Sequence, residues 1–118
     1  MTDKLQLPQP IEALIRATNN HDTDGFLATL AGDAVITDEG QNYRGITAIK
    51  NWSDEKSIGA KVTLEPIDAV NRDGKTVVIF KVDGNFNKTG LPDPFLLDYH
   101  FIIDGLKIAA LDIRLSGE

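Results

Sequence analysis

The sequence predicts an α+β fold in which a strongly curved antiparallel sheet wraps around N-terminal helices as a cone. Two observations predict it. Apolar residues recur at helical spacing in the first half of the chain, and from Lys61 onward the period falls to two, as in strands. A twisted sheet that wraps around a helix of its own chain leaves a pocket at its open end.

The first half begins with two helices. Pro8 and Pro10 open an amphipathic helix, because proline is tolerated in the first helical turn. Asp22 or Thr23 can cap a second, short helix. The sequence predicts that residues 31–33 end this second helix.

A strand, a turn and a third helix come next. Residues 34–38 alternate as a strand that ends at Asp38, and residues 39–42 have the composition of a turn. The third helix carries Ile49 and Trp52 toward the core.

The second half predicts four strands. Residues 62–65 alternate cleanly, and Pro66 marks that strand as an edge or a bulge because proline has no backbone N–H. Residues 71–74 predict a hairpin turn. Residues 76–82 are almost continuously apolar, which predicts a central strand covered on both faces.

The last two strands, over residues 95–103 and 107–115, predict a hairpin whose register can be chosen by its faces. A three-residue loop over residues 104–106 separates apolar from polar side chains, whereas a two-residue loop mixes them. The apolar face then carries Phe95, Leu97, Tyr99, Phe101, Ala109, Leu111, Ile113 and Leu115, and the other carries Asp98, His100, Asp112 and Arg114. Tyr99 is thus a polar-tipped residue on an apolar face, where a buried phenol needs a hydrogen-bond partner.

Asp38 is an acid in an apolar place, because it shares a strand face with Ile36. An unpaired carboxylate there must keep its proton or lie beside a cavity, where it can act as a base. The alternative is structural: Asp38 ends its strand and bonds backbone groups of the Glu39–Gly40 turn. Tyr99 and Trp52 likewise have an alternative reading as ordinary core residues, Tyr99 with a backbone carbonyl as its partner.

The amino-acid composition limits the kinds of partner and site that the chain can have. The chain has 118 residues, 18 acidic against 12 basic, and a net charge of −6, which predicts neither nucleic acid nor an anionic membrane surface as a partner. The absence of cysteine excludes disulfides, thiolate zinc sites and a cysteine nucleophile. No targeting segment or membrane span is recognisable, so a single cytoplasmic domain over residues 1–118 is the expectation.

Four blocks resemble the nuclear transport factor 2-like superfamily. They are HDTDGFLA (residues 21–28), GDAVITD (32–38), YRGITAI (43–49) and DGLKIA (104–109), and the resemblance covers nearly the whole chain. The ketosteroid-isomerase-like and polyketide-cyclase-like (SnoaL-like) branches are the most similar. This resemblance implies a cystatin-like α-β roll and a homodimer that forms through the outer sheet face.

The resemblance also implies site residues. Asp38 falls on the position of the ketosteroid isomerase general base, which works with an oxyanion hole. Leu14 stands where the family has a tyrosine donor, and Tyr99 aligns with the family's second donor. The family match therefore implies Asp38 and Tyr99 as the catalytic pair.

The function implied is acid–base catalysis of the isomerase, cyclase or dehydratase type on a hydrophobic carbonyl compound. Asp38 removes a proton next to the carbonyl and Tyr99 donates to the developing enolate oxygen, which needs no cofactor and no metal. The residues expected to contact the ligand are Leu14, Trp52, Phe80, Phe95, Phe101 and Leu111. The alternative is a non-catalytic ligand-binding or dimerisation module of the same fold.

Overall fold

The computed structural model describes residues 7–72, 75–86, 88–92 and 94–116, so the predicted turn over residues 71–74 lies partly outside the described residues. The helices are α1 (Gln9–Asn19), α2 (Thr23–Ala28) and α3 (Ile46–Lys56). The strands are β1 (Leu30–Asp38), β2 (Gln41–Arg44), β3 (Thr63–Arg72), β4 (Lys75–Asp83), β5 (Leu96–Asp104) and β6 (Lys107–Leu115). The predicted α+β class is confirmed. Within the described ranges, no helix has the length and apolarity needed to cross a bilayer.

The predicted start of α2 is confirmed, but its predicted end is wrong. The Asp22 carboxylate accepts a hydrogen bond from the Gly25 backbone N–H at 3.0 Å and so caps the helix. The helix ends at Ala28, and residues 31–33 belong to β1. The reason lies in β6, because the Ile108 backbone N–H donates to the Thr29 carbonyl at 2.9 Å and Leu30 pairs with Ile108, so the chain enters the sheet directly after the helix.

The six strands form one curved, unclosed sheet in the order β2-β1-β6-β5-β4-β3. Neighbouring strands are antiparallel except for β1 and β6, which are parallel. This one parallel pair departs from the predicted wholly antiparallel arrangement. It places the end of β1 beside the second half of β6, and the candidate site is built there.

The turn after β1 is shorter than predicted. Glu39 and Gly40 alone form it, with positive φ angles of 51° and 84°, as a two-residue hairpin loop requires. Residues 41–44 form the edge strand β2, which the sequence analysis did not predict. It is mostly exposed, so its residues show no apolar alternation.

The edge or bulge that was expected at Pro66 is confirmed. The expectation that β4 is covered on both faces is wrong. Strand β3 is an edge of the sheet, and its register shifts between Pro66 and Asp68. In β4 only the inner face is buried, with Val78 and Phe80 fully covered. Ile79 on the outer face is half-buried, because no second layer of the described chain covers that side.

In the last hairpin the predicted faces are confirmed where Leu97, Tyr99 and Phe101 pair with Leu115, Ile113 and Leu111. The predicted loop is wrong, and next to it Ile108 is fully buried whereas the predicted Ala109 is only partly buried. Gly105 and Leu106 alone form the loop. An irregularity then leaves Ala109 without a partner across the strand pair, and this extra residue restores the predicted separation of faces. Tyr99 and Ile113 therefore face inward, while Asp98, His100, Asp112 and Arg114 share the outer face.

Two neighbouring rows of side chains cross the inner face of β1, β6 and β5. We call Ile36, Leu111 and Phe101 the closed row and Asp38, Ile113 and Tyr99 the open row, because the strand pairing places the members of each row opposite one another. The closed row is almost completely buried, at 0%, 1% and 0% exposure. It packs in one hydrophobic core with other fully buried residues, namely Ile11, Leu14, Ile49, Phe80 and Ile108.

Candidate functional site

A cavity of about 390 Å³ lies at the open row. This volume is within the usual range of small-molecule sites, about 300–1,000 Å³. The lining comprises Asp38, Glu39, Trp52, Glu55, Lys56, Ala60, Val62, Val82, Asn85, Phe86, Leu91, Phe95, Leu97, Tyr99 and Ile113. Most of these residues are apolar, and Glu39, Glu55, Lys56 and Asn85 are exposed. The exposed polar residues therefore form a rim around an apolar interior that contains Asp38 and Tyr99.

Asp38 is the last residue of β1. Its neighbours across the sheet are Gln41 in β2 and Ile113 in β6. The side chain is half-buried, at the point where the inner face changes from packed core to cavity. A polar side chain at such a position needs a hydrogen-bond partner to offset the cost of its burial.

The partner of Asp38 is Trp52. The indole Nε1–H donates to Asp38 Oδ2 at 3.0 Å, across 14 residues of sequence. The alternative in which Asp38 bonds the backbone of the following turn is not observed, because no backbone group of the described residues donates to its carboxylate. Trp52 is thus both a core residue, at 5% exposure, and part of the cavity wall.

Tyr99 is buried at 5% exposure and also lines the cavity. Its ring packs edge-on against Phe80, with centroids 4.8 Å apart. Burial raises the pKa of Tyr99, and the nearby Asp38 carboxylate raises this pKa further, so the phenol keeps its proton. No described residue forms a hydrogen bond with the Tyr99 hydroxyl, so the alternative with a carbonyl partner is not observed either.

Asp38 and Tyr99 approach each other because of the strand pairing. Both are paired with Ile113, one from each side, so their Cα atoms are two strand spacings apart, about 10 Å. Both side chains project from the inner face and line the same cavity. The pair combines a hydrogen-bond acceptor with a donor that bonds no other residue of the described ranges.

The cavity mouth is built by the segments that follow α3 and β4. The Asn85 backbone N–H donates to the Ala60 carbonyl at 2.7 Å and ties the two segments together. Gly84 is required at this junction, because a Cβ atom would lie 3.0 Å from the Ala60 oxygen and its φ is 157°. Beyond it, the rings of Phe86 and Phe95 pack with centroids 5.8 Å apart.

The structure brings some of the predicted site residues together and separates others. Asp38, Tyr99, Trp52 and Phe95 all line the cavity. The other four predicted ligand contacts are not among the lining residues and lie in the core beneath the cavity, namely Leu14, Phe80, Phe101 and Leu111. The binding role of all these residues stays a prediction.

Several lining residues were not predicted. Phe86 and Leu91 belong to the segment between β4 and β5, where they are apolar side chains in a loop. That pattern could have indicated them, since a loop residue without a core to enter commonly serves a pocket mouth. Leu97 and Ile113 follow from the inner-face assignment of β5 and β6.

The outer face contains His100 and its charged neighbours, but no cluster typical of a catalytic or metal site. His100 is paired with Asp112 across the strands, and Asp112 in turn accepts from Arg114 Nη2 at 2.7 Å. In the part of the chain that the structure describes, no three His, Asp or Glu side chains are grouped as metal ligands.

Known structures of similar architecture are numerous. A candidate polyketide cyclase from Sinorhizobium meliloti is 33% identical over 92% of this chain and 95% of its own, with a TM-score of 0.78. A Mycobacterium tuberculosis protein in complex with estradiol-17beta-hemisuccinate is 16% identical over 88% of each chain, with a TM-score of 0.70. SalBIII, an epoxide hydrolase/cyclase-like enzyme with a role in pyran-ring formation in the polyether salinomycin, is 17% identical over 92% and 89%, with a TM-score of 0.73.

Comparison by sequence alone gives less. No protein-family model matches the chain, and a search of curated proteins finds no match. The fold, the cavity at the end of β1 and the 33% identity across nearly the full length agree with the family implied by the four sequence blocks. The chain belongs to the nuclear transport factor 2-like superfamily, among its polyketide-cyclase-like (SnoaL-like) proteins.

Proposed function

We propose that the chain binds a small hydrophobic carbonyl compound in the 390 Å³ cavity and catalyses a proton transfer of the isomerase or cyclase type. Asp38 is the base and Tyr99 is the hydrogen-bond donor. The observation that carries the proposal is the open row: Asp38, an acceptor, and Tyr99, a donor without a hydrogen bond to any described residue, both line an otherwise apolar pocket.

The chemical step follows from these two groups. Asp38 takes a proton from the carbon next to the substrate carbonyl, and the carbonyl becomes an enolate. The Tyr99 hydroxyl donates a hydrogen bond to the enolate oxygen, where negative charge develops. Asp38 then returns the proton to another carbon in an isomerisation. In a cyclisation the enolate carbon instead attacks a second carbonyl, and Asp38 gives its proton to the alkoxide oxygen that forms there.

The first test is ligand binding. Trp52 is the sole tryptophan and lines the cavity, so its fluorescence reports on occupancy. Progesterone, estradiol and palmitate serve as probes of three apolar shapes, with thermal unfolding as a second readout. We expect at least one probe to change the fluorescence and raise the unfolding temperature.

The second test is catalysis. Wild type should isomerise an unsaturated ketone to its conjugated form, followed by ultraviolet absorbance. Asp38→Asn should abolish this turnover without unfolding the protein, since asparagine has the same shape but cannot take the proton. Unchanged turnover in that variant would refute the role of Asp38.

A second candidate is ligand binding without chemistry. The hydrogen bond from Trp52 to Asp38 favours it, because a carboxylate with a structural partner can serve to orient a ligand hydroxyl. The two candidates differ in one result. A pure binding protein gives a fluorescence response to the probes but no turnover that depends on Asp38.

We also propose that two copies pair through the outer sheet face. Val77, Ile79 and Ile102 leave this face partly apolar, and Ile102 is 39% exposed. Asp98 lies on it with a buried Oδ1 that has no partner among the described residues. A dimer in light scattering that Ile79→Lys converts to a monomer would support the proposal, and a wild-type monomer would oppose it.

A further inference from the structure

The indole of Trp52 contacts Asp38 and is itself held from two sides. Its ring lies 6.3 Å from the Phe26 ring of α2 and 6.2 Å from the Tyr43 ring of β2, measured between centroids. Trp52 and Phe26 are both buried, and Tyr43 packs against the same core. The direction of the indole N–H is therefore fixed by packing that does not depend on a ligand.

The indole N–H forms a hydrogen bond with only one of the two carboxylate oxygens of Asp38. Oδ2 accepts the indole hydrogen bond, while Oδ1 makes no hydrogen bond to any group of the described residues. Because a carboxylate is planar and the bond to Oδ2 is directional, holding one oxygen also orients the other. The hydrogen bond is charge-assisted, so it is stronger when Asp38 is ionised than when it is protonated.

We propose that Trp52 is the positioning residue of Asp38: its N–H holds Oδ2 and leaves Oδ1 as the oxygen that receives the substrate proton. The catalytic consequence rests on the proposed function, in which Asp38 is the base. The orientation itself does not, and it can be measured without a substrate. This role differs from a contact with ligand, because Trp52 acts through Asp38.

The decisive measurement is the indole N–H resonance in proton–nitrogen NMR. With a single tryptophan, the protein gives one such resonance, which needs no assignment. The charge-assisted hydrogen bond to Asp38 should move this resonance downfield and slow the exchange of the indole proton with solvent in the wild type. In Asp38→Asn, whose side chain carries no charge, the resonance should move upfield and the proton should exchange faster.

Other charged groups near the cavity require a control. Glu39, Glu55 and Lys56 line the same space and can change the local field. Glu55→Gln, on the same helix as Trp52, should leave the indole resonance and its exchange rate as in the wild type. An indole resonance that is unchanged in Asp38→Asn, or that moves as far in Glu55→Gln, overturns the proposal.

The catalytic arm uses Trp52→Phe, which keeps a ring between Phe26 and Tyr43 but removes the N–H. Turnover of the unsaturated ketone should fall about tenfold or more in kcat, as expected for loss of one hydrogen bond to a charged group, with a smaller change in KM. Lys50→Met, which removes an exposed ion pair with Asp54 on the same helix and does not touch the cavity, should retain wild-type kcat. Wild-type kcat in a folded Trp52→Phe protein overturns the positioning role. If the wild type has no turnover, the proposed function fails, and the NMR shift still decides whether Trp52 orients Asp38.

Discussion

The closed row and the open row belong to the same three strands and the same face of the sheet, yet they do different things. In the closed row, Ile36, Leu111 and Phe101 are no more than 1% exposed and fill the core. Two residues away on each strand, in the neighbouring row, two of the three positions hold Asp38 and Tyr99, and the packing opens into a cavity. Strand alternation repeats every two residues, so it makes both rows inward without making both rows core.

The two rows differ in how far the helices cover them. The helices cover the closed row, because Ile11 and Leu14 of α1 belong to the same buried cluster as Phe101. At the open row Trp52 of α3 forms one wall of the cavity, and loop residues such as Phe86 complete the lining. The closed row therefore contributes stability, and the open row is free to carry polar groups.

The largest effect that distinguishes the rows is on stability. Phe101→Ala in the closed row should lower the free energy of unfolding by about 3–5 kcal/mol, because it removes a fully buried ring. Tyr99→Phe in the open row should change it by less than about 1 kcal/mol, because the lost hydroxyl has no partner among the described residues. Urea denaturation measures both. A loss above about 1 kcal/mol in Tyr99→Phe would mean that the hydroxyl has a stabilising partner in the folded protein.

The second effect is on catalysis, and it should fall on the open row alone. Tyr99→Phe should lower kcat for the unsaturated ketone by about 10²-fold to 10³-fold, the usual result of removing one oxyanion donor. The proper control is Tyr43→Phe, which removes the other tyrosine hydroxyl from the chain. A Tyr99→Phe enzyme with wild-type kcat would leave the open row without a donor role.

A smaller effect is on ligand affinity, which depends on the cavity space next to the open row. Leu97 lines the cavity, and Leu115 lies opposite it across the strands but outside the lining. Leu97→Phe should weaken binding of the best probe about tenfold, or about 1.4 kcal/mol, by filling part of the space. Leu115→Phe should leave the Kd unchanged in the Trp52 fluorescence titration. The same Kd in both variants would place the probe elsewhere.

The smallest effect is on the free energy of unfolding at high pH. Since the pKa of Tyr99 is raised in the folded state above the unfolded value of about 10, folding favours the protonated phenol. Its contribution is complete below pH 10 and is lost above it, by up to about 1.4 kcal/mol per pH unit. Wild type should therefore lose more stability than Tyr99→Phe between pH 10 and 11, measured by denaturation at each pH. Parallel curves would show that Tyr99 ionises as freely in the folded state as in the unfolded chain.

Much of this arrangement could be predicted from sequence, because faces are encoded by alternation. The inward positions of Asp38 and Tyr99 follow from their apolar neighbours, and the wrong loop in the last hairpin did not harm that result, since Ala109 restored the parity. Whether an inward side chain lies in the packed core or at the cavity is not encoded by alternation. Phe101 and Tyr99 look alike in the pattern, so the sequence analysis assigned Phe101 to the pocket although it lies in the core.

The bond between Trp52 and Asp38 could not be predicted for a different reason. It joins a helix to a strand across a turn and a short edge strand, and the direction of an indole N–H depends on how α3 packs. The sequence analysis found both residues but not their contact. The strand β2 was missed because its four residues are polar and mostly exposed, although Tyr43 within it supports the indole.

The central claim, that Asp38 in the open row is a base, can be tested most directly by proton exchange. An unsaturated steroid ketone is incubated in D₂O with wild type or with Asp38→Asn, and NMR follows deuterium entering the carbon next to the carbonyl. We predict exchange well above the buffer rate with wild type and exchange at the buffer rate with Asp38→Asn, although both proteins change Trp52 fluorescence on binding. Equal exchange by the two proteins would contradict the claim.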